Sequence, residues 1–287
     1  MNIIKLKKKI VDDKQYQLRH CEEKDYDIIV DKNTIVYDEE TGDIVLALLK
    51  NAITLETALS VYPALLTCKK GKGLRNRGKY GGEERTNPYS NKSKQSYGAF
   101  THSYVGGFFE RTGGRIPVCR RVAWTRDNPK AWKRVEVLLN EMSANFKAHA
   151  PVKWKIQSNY IKKIHSDYRI PKCVYTTVAV NHSVAGAYHR DSGDYKEGLG
   201  AMSVFMKGKC LNWNLCIPEY RVLLKIRDRD QILFDPHLLH GNTKGTGIGK
   251  IYKDWNRISV VAYVRNRLID CLSIKEELKR ARNLWKL

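Results

Sequence analysis

Val174-Tyr175-Thr176-Thr177-Val178-Ala179-Val180 opens the part of the chain whose reading decides the fold. β-Branched and aromatic residues dominate it, and turn residues follow. Four similar runs come after: Ala201-Met202-Ser203-Val204-Phe205-Met206, Arg221 to Ile226, Gln231-Ile232-Leu233-Phe234, and Ile258 to Val264. Short β-rich runs at short intervals predict an antiparallel sandwich or jelly roll. Working outward, Asn128-Pro129 reads as a capping residue with Pro at the first helical position, opening a helix to about His149. Trp132, Val135, Leu138, Leu139, Met142 and Phe146 keep the spacing of one buried face. The capping box Ser273-Ile274-Lys275-Glu276 starts a last helix that runs through Leu278 to Trp285. Nearer the start, Asp27-Ile28-Ile29-Val30, Thr34-Ile35-Val36-Tyr37 and Ile44 to Leu48 read as short strands. The fold class is therefore α+β. Its expected organisation is an N-terminal β-element at 1–66, a basic Gly-rich loop region at 67–115 and a core at 116–287, forming one module.

The chain has 287 residues, 42% of them hydrophobic, and a formal net charge of +22. That composition excludes disorder and leaves enough apolar residues for a sizeable core. No stretch of about 18 apolar residues occurs, which excludes a helical membrane span. The beginning, Met1-Asn2-Ile3-Ile4-Lys5-Leu6-Lys7-Lys8-Lys9, has no continuous hydrophobic segment and no small-residue cleavage site. An intracellular, reducing location is expected. Seven cysteines without a C-x-x-C pair fit neither a disulfide framework nor a zinc ribbon, and are read as mostly buried or unreactive thiols.

The charge is unevenly placed. Residues 67–172 hold 24 basic and 7 acidic side chains, a net of +17. A polyanion is the expected partner, and nucleic acid is the commonest for a soluble protein. Ten of the 20 glycines fall in 71–114, beside Lys69, Lys70, Lys72, Arg75, Arg77, Lys79, Arg85, Lys92 and Lys94. Tyr80, Tyr89, Tyr97, Tyr104, Phe108 and Phe109 are interleaved with these charges, which suits backbone contacts combined with base stacking, or a loop whose aromatics pack on its own scaffold.

Within the β-rich half, His189-Arg190-Asp191 carries chemistry. In extended backbone, positions two apart project to one face, so the imidazole and the carboxylate converge. His240 lies 51 residues later, followed by Gly241-Asn242-Thr243. Two His and one carboxylate on one face of a metal leave the opposite positions open, as in non-haem Fe(II) oxygenases. His237 competes for the third place. Arg257 and Ser259 share a face of the final strand. A guanidinium pairs bidentately with the remote carboxylate of a 2-oxo dicarboxylic acid, and a serine hydroxyl adds a hydrogen bond.

These motifs, with Thr176 to Asn181, Ser192-Gly193-Asp194 and Cys216-Ile217-Pro218-Glu219-Tyr220, resemble the 2-oxoglutarate- and Fe(II)-dependent dioxygenases of the J-binding-protein/TET group. The resemblance runs from about Ile116 to Arg265 and is strongest toward the J-binding-protein branch; residues 1–70 match only loosely. It implies a double-stranded β-helix core of jelly-roll type and consumption of 2-oxoglutarate and O₂ at Fe(II). It further implies His189, Asp191 and His240 as iron ligands, with Arg257, Ser259 and Asn181 binding the co-substrate. His240 is preferred to His237 because it carries the family's Gly-Asn. The implied reaction is hydroxylation of a pyrimidine 5-methyl group in DNA, thymine before 5-methylcytosine. The base is flipped out or supplied in single-stranded DNA. Asp194 is placed to read it as an acceptor, or is an exposed turn residue; Arg190 is a second candidate substrate contact. A basic surface is then expected at the mouth of the iron pocket of a monomeric enzyme. Competing expectations are a related hydroxylase acting on N-alkylated bases, RNA or protein, and a non-catalytic DNA-binding protein.

Overall fold

The computed structural model of the chain describes residues 1–17, 19–68, 102–110 and 118–285. The first elements are β1 (Asn2–Leu6), β2 (Ile28–Val30), β3 (Thr34–Asp38), β4 (Ile44–Leu49) and α1 (Leu55–Thr67). Next come β5 (His102–Phe109), β6 (Arg120–Arg121), α2 (Ala123–Asp127), α3 (Pro129–His149) and α4 (Pro151–Ile161). The β-rich half supplies β7 (Thr177–His182), β8 (Gly200–Lys207), β9 (Cys210–Leu211), β10 (Leu215–Ile217), β11 (Val222–Leu224) and β12 (Gln231–Phe234). Last are β13 (Gly241–Asn242), β14 (Thr246–Gly247), β15 (Asn256–Tyr263) and α5 (Ile274–Trp285).

Among the described residues, nine strands form one sheet in the order β1-β3-β4-β12-β8-β15-β7-β5-β6. A second sheet has the order β13-β10-β11-β2. Pairing is antiparallel except for β1 with β3 and β2 with β11. Alternation along each strand divides the core. Leu46, Leu48, Met202, Val204, Ile232 and Phe234 face inward, against Leu215, Ile217, Val222 and Leu224 of the smaller sheet. Ala47, Val178, Ala201, Leu233, Ile258 and Val260 face outward, against Trp132, Val135, Leu138 and Leu139 of α3. The period-two pattern of the strands and the 3.6 pattern of α3 thus meet at the outer face of the large sheet. The result is a jelly roll with helices on one side.

Several expectations change. The opening strands complete the two sheets instead of packing on them as a separate element: β4 pairs with β12, and β2 pairs with β11. The 67–115 region is not loop throughout, because β5 pairs with β7 over Gly107↔Thr177 to His102↔His182. Phe108 is consequently buried in the outer core, edge-on to Tyr168, and is unavailable for base stacking. Lys69 to Lys94, with Tyr80, Tyr89 and Tyr97, lie outside the described residues. Pro129 does begin α3, but the Asn128 side chain donates to the Trp124 carbonyl at 3.0 Å and does not cap the helix. The Ser273 capping box is present in both directions, at 3.0 and 3.2 Å. Cys119 and Cys271 are joined as a disulfide across 152 residues, against the reading of free thiols. Such a pairing has no local signature. Beside the bond, Glu277 accepts from the backbone N–H of both Cys119 and Leu272, each at 3.1 Å, and so ties the two segments together.

Candidate active site

One end of the roll holds a cavity of about 620 Å³. His189 and His240 face each other across its wall in an antiparallel bridge, exchanging backbone hydrogen bonds of 2.9 and 3.0 Å. The Asp191 N–H donates to the Pro236 carbonyl at 2.9 Å, which folds the H-x-D segment back toward His240. His189 Nε2 lies 3.8 Å from Asp191 Oδ1, and His240 Nε2 lies 3.7 Å from Asp191 Oδ2. The three ligand atoms all fall within 4.8 Å of one another.

The imidazoles are also set in the right tautomer. His189 Nδ1 meets the Ala187 carbonyl at 2.7 Å and His240 Nδ1 meets the Leu238 carbonyl at 2.8 Å. A carbonyl only accepts, so each Nδ1 carries the proton and Nε2 holds the lone pair a metal needs. Burial, reinforced by the neighbouring His189, pushes His240 down to about 4, so it is neutral at physiological pH. This donor set fits Fe(II).

His237 does not join the cluster. Its Nδ1 lies 3.1 Å from Asp235 Oδ1, and that hydrogen bond raises the imidazole above its ordinary value.

Arg257, Ser259, Val261 and Tyr263 occupy the inward positions of β15, and the last three line the cavity. Asn181 lies opposite Ser259 in the register with β7 and lines it too. Arg257 sits beyond Ser259 at 1% exposure, and its Nε and Nη2 have no hydrogen-bond partner. Burial brings the guanidinium down to about 10. A buried cation with two unused donors is costly unless an anion reaches it, and the carboxylate of a 2-oxo dicarboxylic acid fits that demand.

The candidate substrate contacts divide. Asp194 is buried at 8% exposure and bridges Arg265 through the backbone, so it is not an exposed turn residue. Burial, with Asp191 nearby, pushes it up to about 8. That direction favours the protonated carboxyl, which can donate as well as accept, a capacity beyond the acceptor expected from the sequence. Arg190 is committed elsewhere: it donates to Asp13 at 2.8 and 2.7 Å, to Glu219 at 3.3 and 3.2 Å, and to the His237 carbonyl at 2.8 Å. Glu219 also accepts from the Leu239 N–H at 2.7 Å. Arg190 thus braces the segment before His240, with most of its donors taken by protein groups.

Three polar cavity residues have no role assigned to their side chains from the sequence. Arg265 lines the wall with its guanidinium held by Glu110 at 2.8 and 3.3 Å, and Tyr263 lies beside it. Counting by twos from Arg257 reaches both. Asn242 accepts the Gly186 N–H at 3.1 Å and ties the approach to His189 to the strand after His240.

The expected basic rim is only partly met. Arg120 stands 5.0 Å from the ring centre of Phe109, a cavity residue. Lys130, Lys133, Arg134, Lys147 and Lys155 are exposed on α3 and α4, across the large sheet from the cavity. The inner face of α3 is used for packing, so its charges point outward. Eleven of the 24 basic residues in 67–172 lie outside the described residues.

Residues 103–266 match Tet_JBP, the oxygenase domain of the 2OGFeDO superfamily. Thymine dioxygenase JBP1 of Trypanosoma brucei brucei is 30% identical over 184 residues, covering 64% of this chain and 21% of that protein. Bifunctional helicase and thymine dioxygenase JBP2 of Leishmania infantum is 31% identical over 169 residues, 59% of this chain and 14% of that protein. The chain spans about a fifth of the first of these relatives and about a seventh of the second by the aligned share. The solved structure of NgTET1 in complex with 5mC DNA superposes with a TM-score of 0.59 at 13% identity, covering 89% of this chain and 90% of that one. That likeness establishes the shared fold.

Proposed function

The chain belongs to the Tet_JBP family of oxygenase domains in the 2OGFeDO superfamily, and from that premise we propose that it is an Fe(II)- and 2-oxoglutarate-dependent dioxygenase. Its proposed reaction is hydroxylation of the 5-methyl group of a pyrimidine in DNA, with thymine preferred. The observation that carries this reading is the convergence of His189, Asp191 and His240 within 4.8 Å beside a buried Arg257 with two unused donors. In this reading the first three hold Fe(II). Arg257 takes the remote carboxylate of 2-oxoglutarate, with Ser259 and Asn181 lining its path. Bound there, the metal with 2-oxoglutarate and O₂ supplies the oxidation, in which the acid loses CO₂ to give succinate and the methyl group gains one oxygen.

The protein's own part is positional. The Nδ1 hydrogen bonds fix both imidazoles, and Arg190 fixes the segment between them. Met202, Leu215, Phe234 and Val261 give the cavity an apolar lining that limits water. A base in a duplex cannot reach this recess, so it enters flipped out or from a single strand. Asp194, Tyr263 and Arg265 form the wall it meets. The two names of thymine dioxygenases support thymine, and the apolar recess suits the methyl group that thymine and 5-methylcytosine share; the described residues act as one catalytic module of a monomer.

The test is incubation with Fe(II), ascorbate, 2-oxoglutarate and oligonucleotides carrying thymine or 5-methylcytosine, followed by digestion and mass spectrometry of the nucleosides. Thymidine is expected to gain one oxygen, and His189→Ala or Asp191→Ala to abolish this. Product from 5-methylcytosine alone would transfer the proposal to that base. Failure to release succinate or product with either substrate would overturn it.

A further inference from the structure

Trp213 is 2% exposed and has φ +55°, directly after Asn212 at φ +69°. Left-handed backbone is uncommon outside glycine and an outlier for a bulky residue. It persists where the surroundings over-determine it, commonly at functional sites. Here they do. Asn214 N–H donates to Thr243 Oγ1, and Thr243 N–H donates to the Asn214 carbonyl, both at 3.0 Å. The Asn242 side-chain amide reaches the Trp213 and Asn214 carbonyls, each at 3.4 Å. Gly245 lies flat against the indole: a Cβ there would stand 1.8 Å from the ring.

What this turn delivers is the position of the ring. Arg257 Cζ lies 5.7 Å from its centre, within cation–π range, while the guanidinium's Nε and Nη2 remain unused. We propose that Trp213 is a positioning residue that holds the Arg257 guanidinium, and that its indole, backed by Gly245, closes the acid end of the co-substrate pocket. A rigid wall there selects 2-oxoglutarate over its homologue one methylene longer, 2-oxoadipate. This rests on the reading of the site as a 2-oxoglutarate site.

Calorimetric titration of the whole chain loaded with Mn(II), a stand-in that permits binding without turnover, tests it. Trp213→Ala should weaken 2-oxoglutarate about tenfold. It should leave Mn(II) affinity unchanged and narrow the preference over 2-oxoadipate. Trp213→Phe keeps a ring, so it should retain most of the 2-oxoglutarate affinity while admitting the longer acid more readily. That variant decides the matter if the alanine variant fails to fold. A folded variant with wild-type affinity and selectivity for both acids overturns the proposal. So does parallel loss of Mn(II) and both acids. If the wild-type chain itself binds Mn(II) but neither acid, the functional reading falls and this inference with it; failure confined to the variants' predicted pattern removes the inference alone.

Discussion

At the scale of single residues, the choice between two histidines three positions apart is made by hydrogen bonding. His240 presents Nε2 to Asp191, whereas His237 spends its ring on Asp235. Losing an outer partner of a metal ligand costs about 10–100-fold in affinity, so losing a ligand itself should cost more. His240→Ala is expected to weaken Fe(II) binding more than about 100-fold, and His237→Ala to leave it within about threefold, in an anaerobic equilibrium titration. A second residue links the site to acid stability. Asp25, 2% exposed, accepts two bonds from Arg19 at 2.8 Å, one from Glu22 N–H at 2.9 Å and one from the Tyr188 hydroxyl at 3.0 Å. Burial would raise its carboxyl, but these donors outweigh it and hold it below the ordinary value. A folded-state value below the unfolded one gives stability that is full above about pH 4 and is lost as pH falls through the lower value. Denaturant midpoints between pH 7 and pH 3 should therefore fall for the wild type, and fall less steeply for Asp25→Asn from its lower start.

At the scale of elements, one glycine decides how β5 serves both sides of the large sheet. Gly107 has φ +76°, and a Cβ there would stand 2.4 Å from the Thr176 carbonyl oxygen. The close approach lets the strand continue past Thr176, so that Phe108 enters the outer core while Phe109, on the opposite face, lines the cavity. Gly107→Ala should cost at least about 2 kcal/mol, read from chemical denaturation. Strands and helices with a clean period were legible in the sequence: α3 runs over Pro129–His149 as its apolar spacing predicts, and β12 over Gln231–Phe234. β5 was not, because its glycines and flanking charges resemble a loop, and only pairing with β7 makes it a strand. The bracing role of Arg190 was hidden for a similar reason. Its neighbours in sequence are ligands, but its partners Asp13 and Glu219 lie 177 and 29 residues away.

At the scale of the molecule, the Cys119–Cys271 bond closes a loop of 152 residues between the approach to β6 and the approach to α5. Cross-links across long loops stabilise chiefly by restricting the unfolded chain. Cys119→Ser is expected to lower stability by about 2–5 kcal/mol, and reductant should do the same to the wild type, in thermal or denaturant melts. The sequence alone determined the chemistry available: two imidazoles, a carboxylate, an Arg-x-Ser on a strand, and an excess of positive charge. Residue identity and local period carry that information without a fold. Only the tertiary structure decided which groups meet. It placed His240 rather than His237 beside His189 and Asp191, made Arg190 a brace, buried Asp194, paired two distant cysteines and set the α3 charges across the sheet from the cavity. Each of these depends on contacts between segments far apart in the chain, where burial and hydrogen bonding, not spacing, fix what a side chain can do.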